Sequence, residues 1–583
     1  MKRKAGTKMR YVKISVMAAV AASLVFVSAC SDKSSGGSSE ASSGNGSNSG
    51  SGGQTNSGKP GDPFGKYDQT VTIKIGQAVD PTDKSLPAGD TPANNQYTRY
   101  VKDNLNIDTQ VAWQAATGTN YDQKVNLSIA SNDLPDAMVV NDAQLRQMAK
   151  AGELQDLSDA YNNYASEPLK KIIDSTNGVA MKSVTFDGKM LALPNVTVQA
   201  DGIHEMWIRK DWLDKLHLQP PKTMDDLEKV AKAFVEQDPD GDGKADTIGI
   251  VGPQSGGHMY ATFLLSTNNL YGFDPIFAAY DSYPGFWLKG DDGKPVYGSI
   301  QPQTKEALAK LRDLYAKGLI DQQTGVRKDS SEPIISGQAG IFFGPWWMGY
   351  GPLGNAVKND PKANWQAYAL PLDGNGQFSP HVGTPSSQFL VVRKGYEHPE
   401  AAIKMENLLL RDESKFDVSV AIGNYPLRIV YAPNDETEFT VKALREVLAG
   451  TKKPEDFANN PEYKLLNNDV NTVKKVKLQP YDKMDIQYWK PTADWGVWNR
   501  MYSLLVGDAP IVDQPMNKVP SLIYSQTKTM ESRWANLQKM EDETFLKIIL
   551  GAAPLDDFDK FVKDWKAQGG ERITDEVAEE AKQ

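Results

Sequence analysis

Cys30 is the only cysteine in 583 residues, so no disulfide can form within the chain. Whatever body it folds into must be held by apolar burial alone. A chain of this length can manage that, because the fraction of surface buried rises with size. It is long enough for several ordinary domains. Its 40% apolar and 24% charged residues are those of a globular protein.

The surroundings of Cys30 explain why a lone cysteine is there at all. Six cations (Lys2, Arg3, Lys4, Lys8, Arg10, Lys13) and no acid precede an apolar run from Ile14 to Val27. That run is shorter than the ~20 residues needed to span a bilayer. It reads instead as a signal peptide over 1–29. Val27-Ser28-Ala29-Cys30 resembles the lipobox of bacterial lipoproteins, which implies a lipid on Cys30 once the leader is removed. Residues 31–61 are nearly all Ser, Gly and Asn. Such a stretch cannot bury apolar surface, and its coil reaches roughly 30 Å. It reads as a tether, so residues 30–65 form a lipidated cysteine plus linker.

Net charge is −10, and loss of the six leader cations makes the mature chain −16. With no cluster of Lys and Arg, that surface would repel nucleic acid.

Past Tyr67 the pattern becomes that of a folded body. Val71–Ile75 alternates apolar and polar residues as a strand does. Asn94–Leu105 and Tyr121–Ser131 read as helices, and Asp108–Trp113 and Ala137–Val140 as strands. Helices alternating with short apolar strands predict α/β layers with parallel strands. Further on, Thr223 is placed to cap a helix that puts Leu227, Val230, Ala231 and Phe234 on one face. Thr304 precedes a helix with a Leu308, Leu311, Tyr315 stripe and Gly318 as its stop. Pro399 sits just inside the start of another, running to about Leu410. From about Phe439 the chain reads as mostly helical, ending in an amphipathic stretch near Phe558–Trp565. No repeat occurs.

Asp238, Asp240 and Asp242 occupy positions 1, 3 and 5 of an EF-hand-type loop. Gly243 falls at position 6, Lys244 offers a carbonyl at 7, and Asp246 falls at 9. Four carboxylates so close repel unless a cation sits among them, and hard oxygen ligands favour Ca2+. The role would be structural, tying the Thr223–Glu236 helix to the next strand. Position 12, usually Glu, is Gly249.

Tryptophan is abundant, at 12 residues, and flat C–H faces of sugars pack on such rings. Two adjacent tryptophans after Gly-Pro, Trp346 and Trp347, cannot easily both face one core. Trp287 sits in the loop-like YPGFW. Asp80, Asn141 and Asp142 follow predicted strands, at the carboxyl ends where open α/β sheets place ligands. Trp207 and Trp212 read as packing. Metal-hydrolase, nucleophile-elbow and P-loop motifs are absent, so no catalytic residue is assigned. A lyase or glycosidase remains the enzyme alternative, because paired carboxylates leave no motif.

Several stretches, LPDAMVVNDAQLRQMAKAGELQDL (134–157), FDGKMLALPN (186–195), MWIRKDWLDKLHLQPPKTMDDL (206–227), DPDGDGKADTIG (238–249), GQAGIFFGPWW (337–347) and HPEAAIKMENLL (398–409), together resemble the extracellular solute-binding proteins of ABC importers. More narrowly they resemble long sugar-binding lipoproteins of Gram-positive bacteria and alginate-binding proteins.

The resemblance implies a type II two-lobed α/β fold with a hinge and an interlobe cleft, its C-terminal part mostly helical. It places lobe 1 at 66–197 plus 376–425 and lobe 2 at 198–375 plus 426–583. The crossings fall near Pro194–Ala200, Leu370–Gly383 and Tyr425. It implies capture of an oligosaccharide, a membrane permease as partner, a monomer, and a lipid-anchored location on the extracellular face of the membrane. A peptide or another solute is the alternative ligand. By the same likeness Trp346 stacks a sugar ring, as in maltose-type proteins. His258, Tyr260, Trp495, Trp498 and Arg500 fall where relatives place cleft residues. Alginate-binding relatives also take an acidic ligand at position 10 of the calcium loop, where this chain has Thr247.

Overall fold

The computed structural model describes residues 61–581 apart from 265–268, 418 and 474–494. The leader, Cys30 and all of the Ser/Gly segment but Gly61 lie outside the described residues.

In chain order, the strands that frame the site are β1 (Val71–Val79), β2 (Ile107–Ala116), β3 (Ala137–Val140), β4 (Leu193–Pro194), β5 (Glu205–Arg209), β6 (Ile248–Ile250), β7 (Ala339–Gly344), β8 (Trp365–Tyr368), β9 (His381–Val382), β10 (Phe389–Val392) and β11 (Val519–Pro520). One sheet has the order β2-β1-β3-β10-β4 and another the order β8-β5-β7-β6. Each carries its own helices, giving two α/β lobes.

The first sheet starts as the sequence pattern requires. Val71, Ile73 and Ile75 point into the core and Thr72 and Lys74 to solvent. Gly76 then lets β1 pass the Trp113 ring of β2, because a Cβ there would lie 2.4 Å from the indole. β1 pairs in parallel with β2 and β3, but β10 runs antiparallel to both β3 and β4. The sheets are therefore mixed, not parallel as expected. β10 enters from the other lobe, without the crossover helix that makes neighbours parallel.

Helix starts follow local chemistry. Asn95, not Asn94, caps Gln96–Leu105, accepting from the Tyr97 and Thr98 amides. Thr223 caps Met224–Glu236 with Asp226 closing the capping box. Thr304 caps nothing: its helix starts two residues earlier at Pro302, and its buried hydroxyl donates to the Gly298 carbonyl at 2.8 Å. The buried stripe there is Leu308, Leu311 and Leu314, with Tyr315 at its margin. Pro399 stands at the cap of Glu400–Asp412.

One apolar core draws on residues 67–196 and 389–431, and two others on residues 200–577. Three chain segments run side by side between the lobes. The Asn195 amide donates to the Gln388 carbonyl (2.9 Å), Thr197 to Pro385 (3.0 Å), Ala432 to Val196 (3.0 Å) and Gln199 to Asn434 (2.9 Å). Asn195 Oδ1 also accepts from the Ser387 and Gln388 amides.

The second crossing thus falls at about 383–388, later than Leu370–Gly383. Phe378 and Val382 are buried in the second lobe, where β9 pairs with β11. The third falls at about 431–435, not at Tyr425. Leu427, Ile429 and Tyr431 stay in the first core, and the Tyr425 hydroxyl donates to the Met405 carbonyl at 2.6 Å. Residues 376–382 and 426–431 therefore sit on the opposite sides of the boundaries from those expected.

Candidate functional site

The cavity between the lobes measures about 730 Å3, within the usual range for small-molecule sites. The first lobe contributes Asn141, Asp142 and Arg146 where β3 runs into the next helix, with Lys182 and Phe186 beyond them. The crossing strand contributes Thr384, Ser386 and Ser387. The second lobe contributes Lys518, Tyr524, Gln526 and Glu580.

β3 is buried along most of its length, so the chain must turn sharply at its end. Asn141 makes that turn by capping the helix Asp142–Ala151: its side chain accepts from the Gln144 amide at 3.0 Å, and Gln144 Oε1 accepts from the Asn141 amide. Arg146 Nε holds Asp142 Oδ2 at 2.8 Å across one helical turn. Opposite, Lys518 donates to Gln199 Oε1 and stands 3.7 Å from Glu438. Burial pushes the Glu580 carboxyl up, and Arg146 draws it back down. The lining thus mixes hydroxyls and amides with cations from both lobes, and Phe186 and Tyr524 supply rings. That combination suits a large, neutral or acidic polyhydroxylated molecule.

A second gathering lies against the crossings in the second lobe. Trp346 opens a single 3-10 turn after β7, and its indole Nε1 donates to Asp201 at 2.9 Å. Arg500 holds Asp469 at 2.8 Å and donates to the Tyr350 hydroxyl at 3.2 Å. Burial pushes the Asp201 carboxyl up, and it raises Glu436 to about 7 against the pull of Arg500.

The expected contacts divide accordingly. Asn141 and Asp142 line the cavity. Trp346 is buried in the third core and does not; contrary to expectation, half-buried Trp347 packs against that same core, one ring inside it and the other at its margin. Trp498 is buried, stacked on Tyr502 with ring centres 4.6 Å apart, and Trp495 packs edge-on to it. Tyr260 is a core residue, its hydroxyl donating to Glu541 at 2.6 Å. Trp287 is likewise fully buried, between Tyr297 and Trp565. The stretch before it, 283–286, is a turn as expected, and Trp287 opens the short strand Trp287–Lys289 with its own ring packed inward. His258 is exposed. Asp80 is spent locally, accepting from the Thr82 amide and hydroxyl, which hold its carboxyl below the usual range. The lining residues missed were Arg146, Lys182 and Lys518, the T-P-S-S run at 384–387, and Phe186, Tyr524, Gln526 and Glu580; only the run at 384–387, polar beside an apolar strand, carried a signal.

In the aspartate loop, Asp238, Asp240 and Asp242 bring carboxylate oxygens within 4.8 Å of one another. The Gly241 and Gly243 amides clamp the Asp238 carboxylate at 3.1 Å each. Gly243 adopts φ +80, the left-handed conformation the turn needs. Asp246 stands outside this trio. Its Oδ2 accepts from Gln338 at 2.9 Å, while Oδ1 is buried with no partner among the described residues. Thr247 donates to the Phe234 carbonyl at 2.7 Å, pinning the loop to the preceding helix.

The sequence matches a known family profile, that of the bacterial extracellular solute-binding proteins, over residues 95–445. The chain belongs to that family. This solute-binding protein is 25% identical over 511 residues to the polygalacturonan/rhamnogalacturonan-binding protein YtcQ of Bacillus subtilis, covering 84% of this chain and 89% of that one. It is 36% identical over 244 residues to the fructooligosaccharide ABC transporter substrate-binding protein FusA of Streptococcus pneumoniae, covering 39% and 43% of the two chains. A solved FusA structure, described as an EF-hand mutant in complex with fructo-nystose, superposes with a TM-score of 0.50 at 17% identity over 88% of this chain and 99% of that one. A solute-binding protein from Bifidobacterium longum infantis, described as binding HMO, gives a TM-score of 0.58 at 16% identity over 88% and 98%. The two-lobed fold is thereby shared with sugar-binding proteins. No helix among the described residues is long and apolar enough to cross a membrane.

Proposed function

We propose that this protein captures an oligosaccharide in the interlobe cavity and delivers it, unaltered, to an ABC permease in the membrane. The observation that carries this reading is the cavity itself: about 730 Å3, walled by both lobes and lined with hydroxyl, amide and charged groups beside the rings of Phe186, Phe389 and Tyr524. That volume accepts a di- to tetrasaccharide. YtcQ and FusA, by name, bind oligomeric carbohydrate. Asn141, Asp142, Arg146, Lys518 and Tyr524 are the proposed contacts, with Arg500 of the second gathering, Trp347 and Trp495 as further ones. Cations from both lobes favour a sugar bearing carboxylates.

The lipid on Cys30 and the Ser/Gly tether would hold the receptor on the extracellular face of the membrane, as a monomer. The aspartate loop would bind Ca2+ through Asp238, Asp240, Asp242, the Lys244 carbonyl and, through water, Asp246. The EF-hand named for FusA supports that assignment.

Thermal unfolding of the mature protein against neutral oligosaccharides, uronic oligosaccharides and peptides tests the reading. A ligand at a hundred times its dissociation constant adds about 2.7 kcal/mol of stability. A saccharide-specific rise with the saccharide recovered intact is the expected result. A rise with peptides alone overturns the sugar assignment, and cleavage of the sugar overturns the receptor assignment.

A further inference from the structure

His204, Asp274 and His381 come together inside the second lobe; none of the three lines the interlobe cavity, although His381 is next to Val382, which does. One ligand atom from each lies within 4.8 Å of the others. His204 Nδ1 stands 4.0 Å from Asp274 Oδ2, and His381 Nδ1 stands 3.6 Å from Asp274 Oδ1. The two imidazole rings are tilted at 39° with centres 5.4 Å apart.

The His204 side chain is 1% exposed, and neither of its ring nitrogens has a hydrogen-bond partner among the described residues. An imidazole buried with both nitrogens unsatisfied is costly. At 4.0 Å the carboxylate is too far to accept its hydrogen bond. Asp274, by contrast, is firmly aimed. The Ala261 amide donates to Oδ1 at 2.7 Å and the Asn269 side chain to Oδ2 at 2.6 Å. A carboxylate oriented in this way is what the outer shell of a metal site provides.

We propose that His204, His381 and Asp274 bind a zinc ion. Ligand atoms of a tetrahedral site with bonds near 2.1 Å stand about 3.4 Å apart, so the two histidine–aspartate spacings of 4.0 and 3.6 Å are close to that and the widest spacing, at most 4.8 Å, must contract as the ion binds. Two imidazoles and one carboxylate suit zinc and not calcium. A void of about 10 Å3 bounded by Asp274, His381 and Ser282 is the size of a single water, which completes the coordination. Aromatic side chains seal it, so the ion is structural. It fastens together three separate segments: the entry to β5, the start of the short helix Asp274–Ala278, and β9, whose Val382 lines the interlobe cavity.

Expression of the protein without a polyhistidine tag, in minimal medium containing zinc or cobalt as the added metal, tests the site. Elemental analysis should find one zinc per chain after desalting, with none in His204→Gln. The cobalt form should show the intense visible bands of a tetrahedral site, which the all-oxygen aspartate loop cannot produce. Should His204→Gln not fold, His381→Gln and the cobalt spectrum of the unaltered protein still decide. Zinc retained equally by the variants, or cobalt protein without tetrahedral bands, overturns the proposal. Neither outcome depends on what the interlobe cavity binds.

Discussion

Glu541 shows how little a residue's type says about its place. Its carboxylate, fully buried, accepts from Tyr260 (2.6 Å), Ser299 (2.6 Å) and Tyr297 (3.0 Å). Burial outweighs those donors and pushes it up to about 7, with neighbouring Asp542 adding to the rise. The folded state therefore keeps a proton that the unfolded chain releases near 4.5. Its stabilising effect is complete below that pH and is lost as pH climbs through 7, by up to about 3 kcal/mol. Thermal unfolding of Glu541→Gln at pH 5 and pH 8 should show a flatter pH dependence than the native chain. Gly507 allows a second prediction. A Cβ there would lie 2.1 Å from the Trp346 carbonyl oxygen, so Gly507→Ala must displace the Trp346 turn. The expected cost is about 1–3 kcal/mol, read as a lower melting temperature. Residue roles were the least legible part of the sequence. Tyr260 and Trp287 were expected at the ligand and are core, because a ring that stacks on a sugar and a ring that packs a core look alike in one dimension.

Elements were more legible, wherever local chemistry decides them. Ala137–Val140 could be read to the residue, as a fully apolar run ending in an Asn cap. Thr223 was recognisable as a cap because an apolar stripe follows it, and Asp226 closes its capping box in the structure. Thr304 misled because Pro302 already starts the helix and the hydroxyl is claimed by Gly298. The aspartate loop belongs to the same class, since its spacing is its geometry. Filling it with Ca2+ should raise the melting temperature, and chelation should reverse the rise. In Asp240→Asn the calcium-dependent rise should shrink, because Asp240 is one of three converging carboxylates. Equal melting curves with calcium and with chelator would remove the ion from the loop.

At the scale of the whole molecule, family likeness conveyed the two lobes, while periodicity alone said only α/β. The crossings were misplaced by several residues, since their ends depend on which core claims Val382 and Tyr431, a long-range choice. Asn195 ties two of them, accepting from the Ser387 and Gln388 amides. Asn195→Ala removes both contacts, and because Ser387 and Gln388 are exposed and water can take the acceptor's place, the cost is about 0.5–1.5 kcal/mol. It should weaken saccharide binding more than it lowers the melting temperature of the ligand-free protein, because the tie is made at the hinge. Small-angle scattering with and without saccharide should record a smaller radius of gyration in the bound native protein. The sheet order β2-β1-β3-β10-β4 has one more consequence. The strand that closes the first lobe between β3 and β4 is made only after most of the second lobe has been synthesised. The amino-terminal part of the first lobe, residues 67–196, therefore has to wait, with strand edges open, for a late arrival, and a chain cut short before Phe389 should be degraded or aggregate as a whole instead of leaving a working lobe.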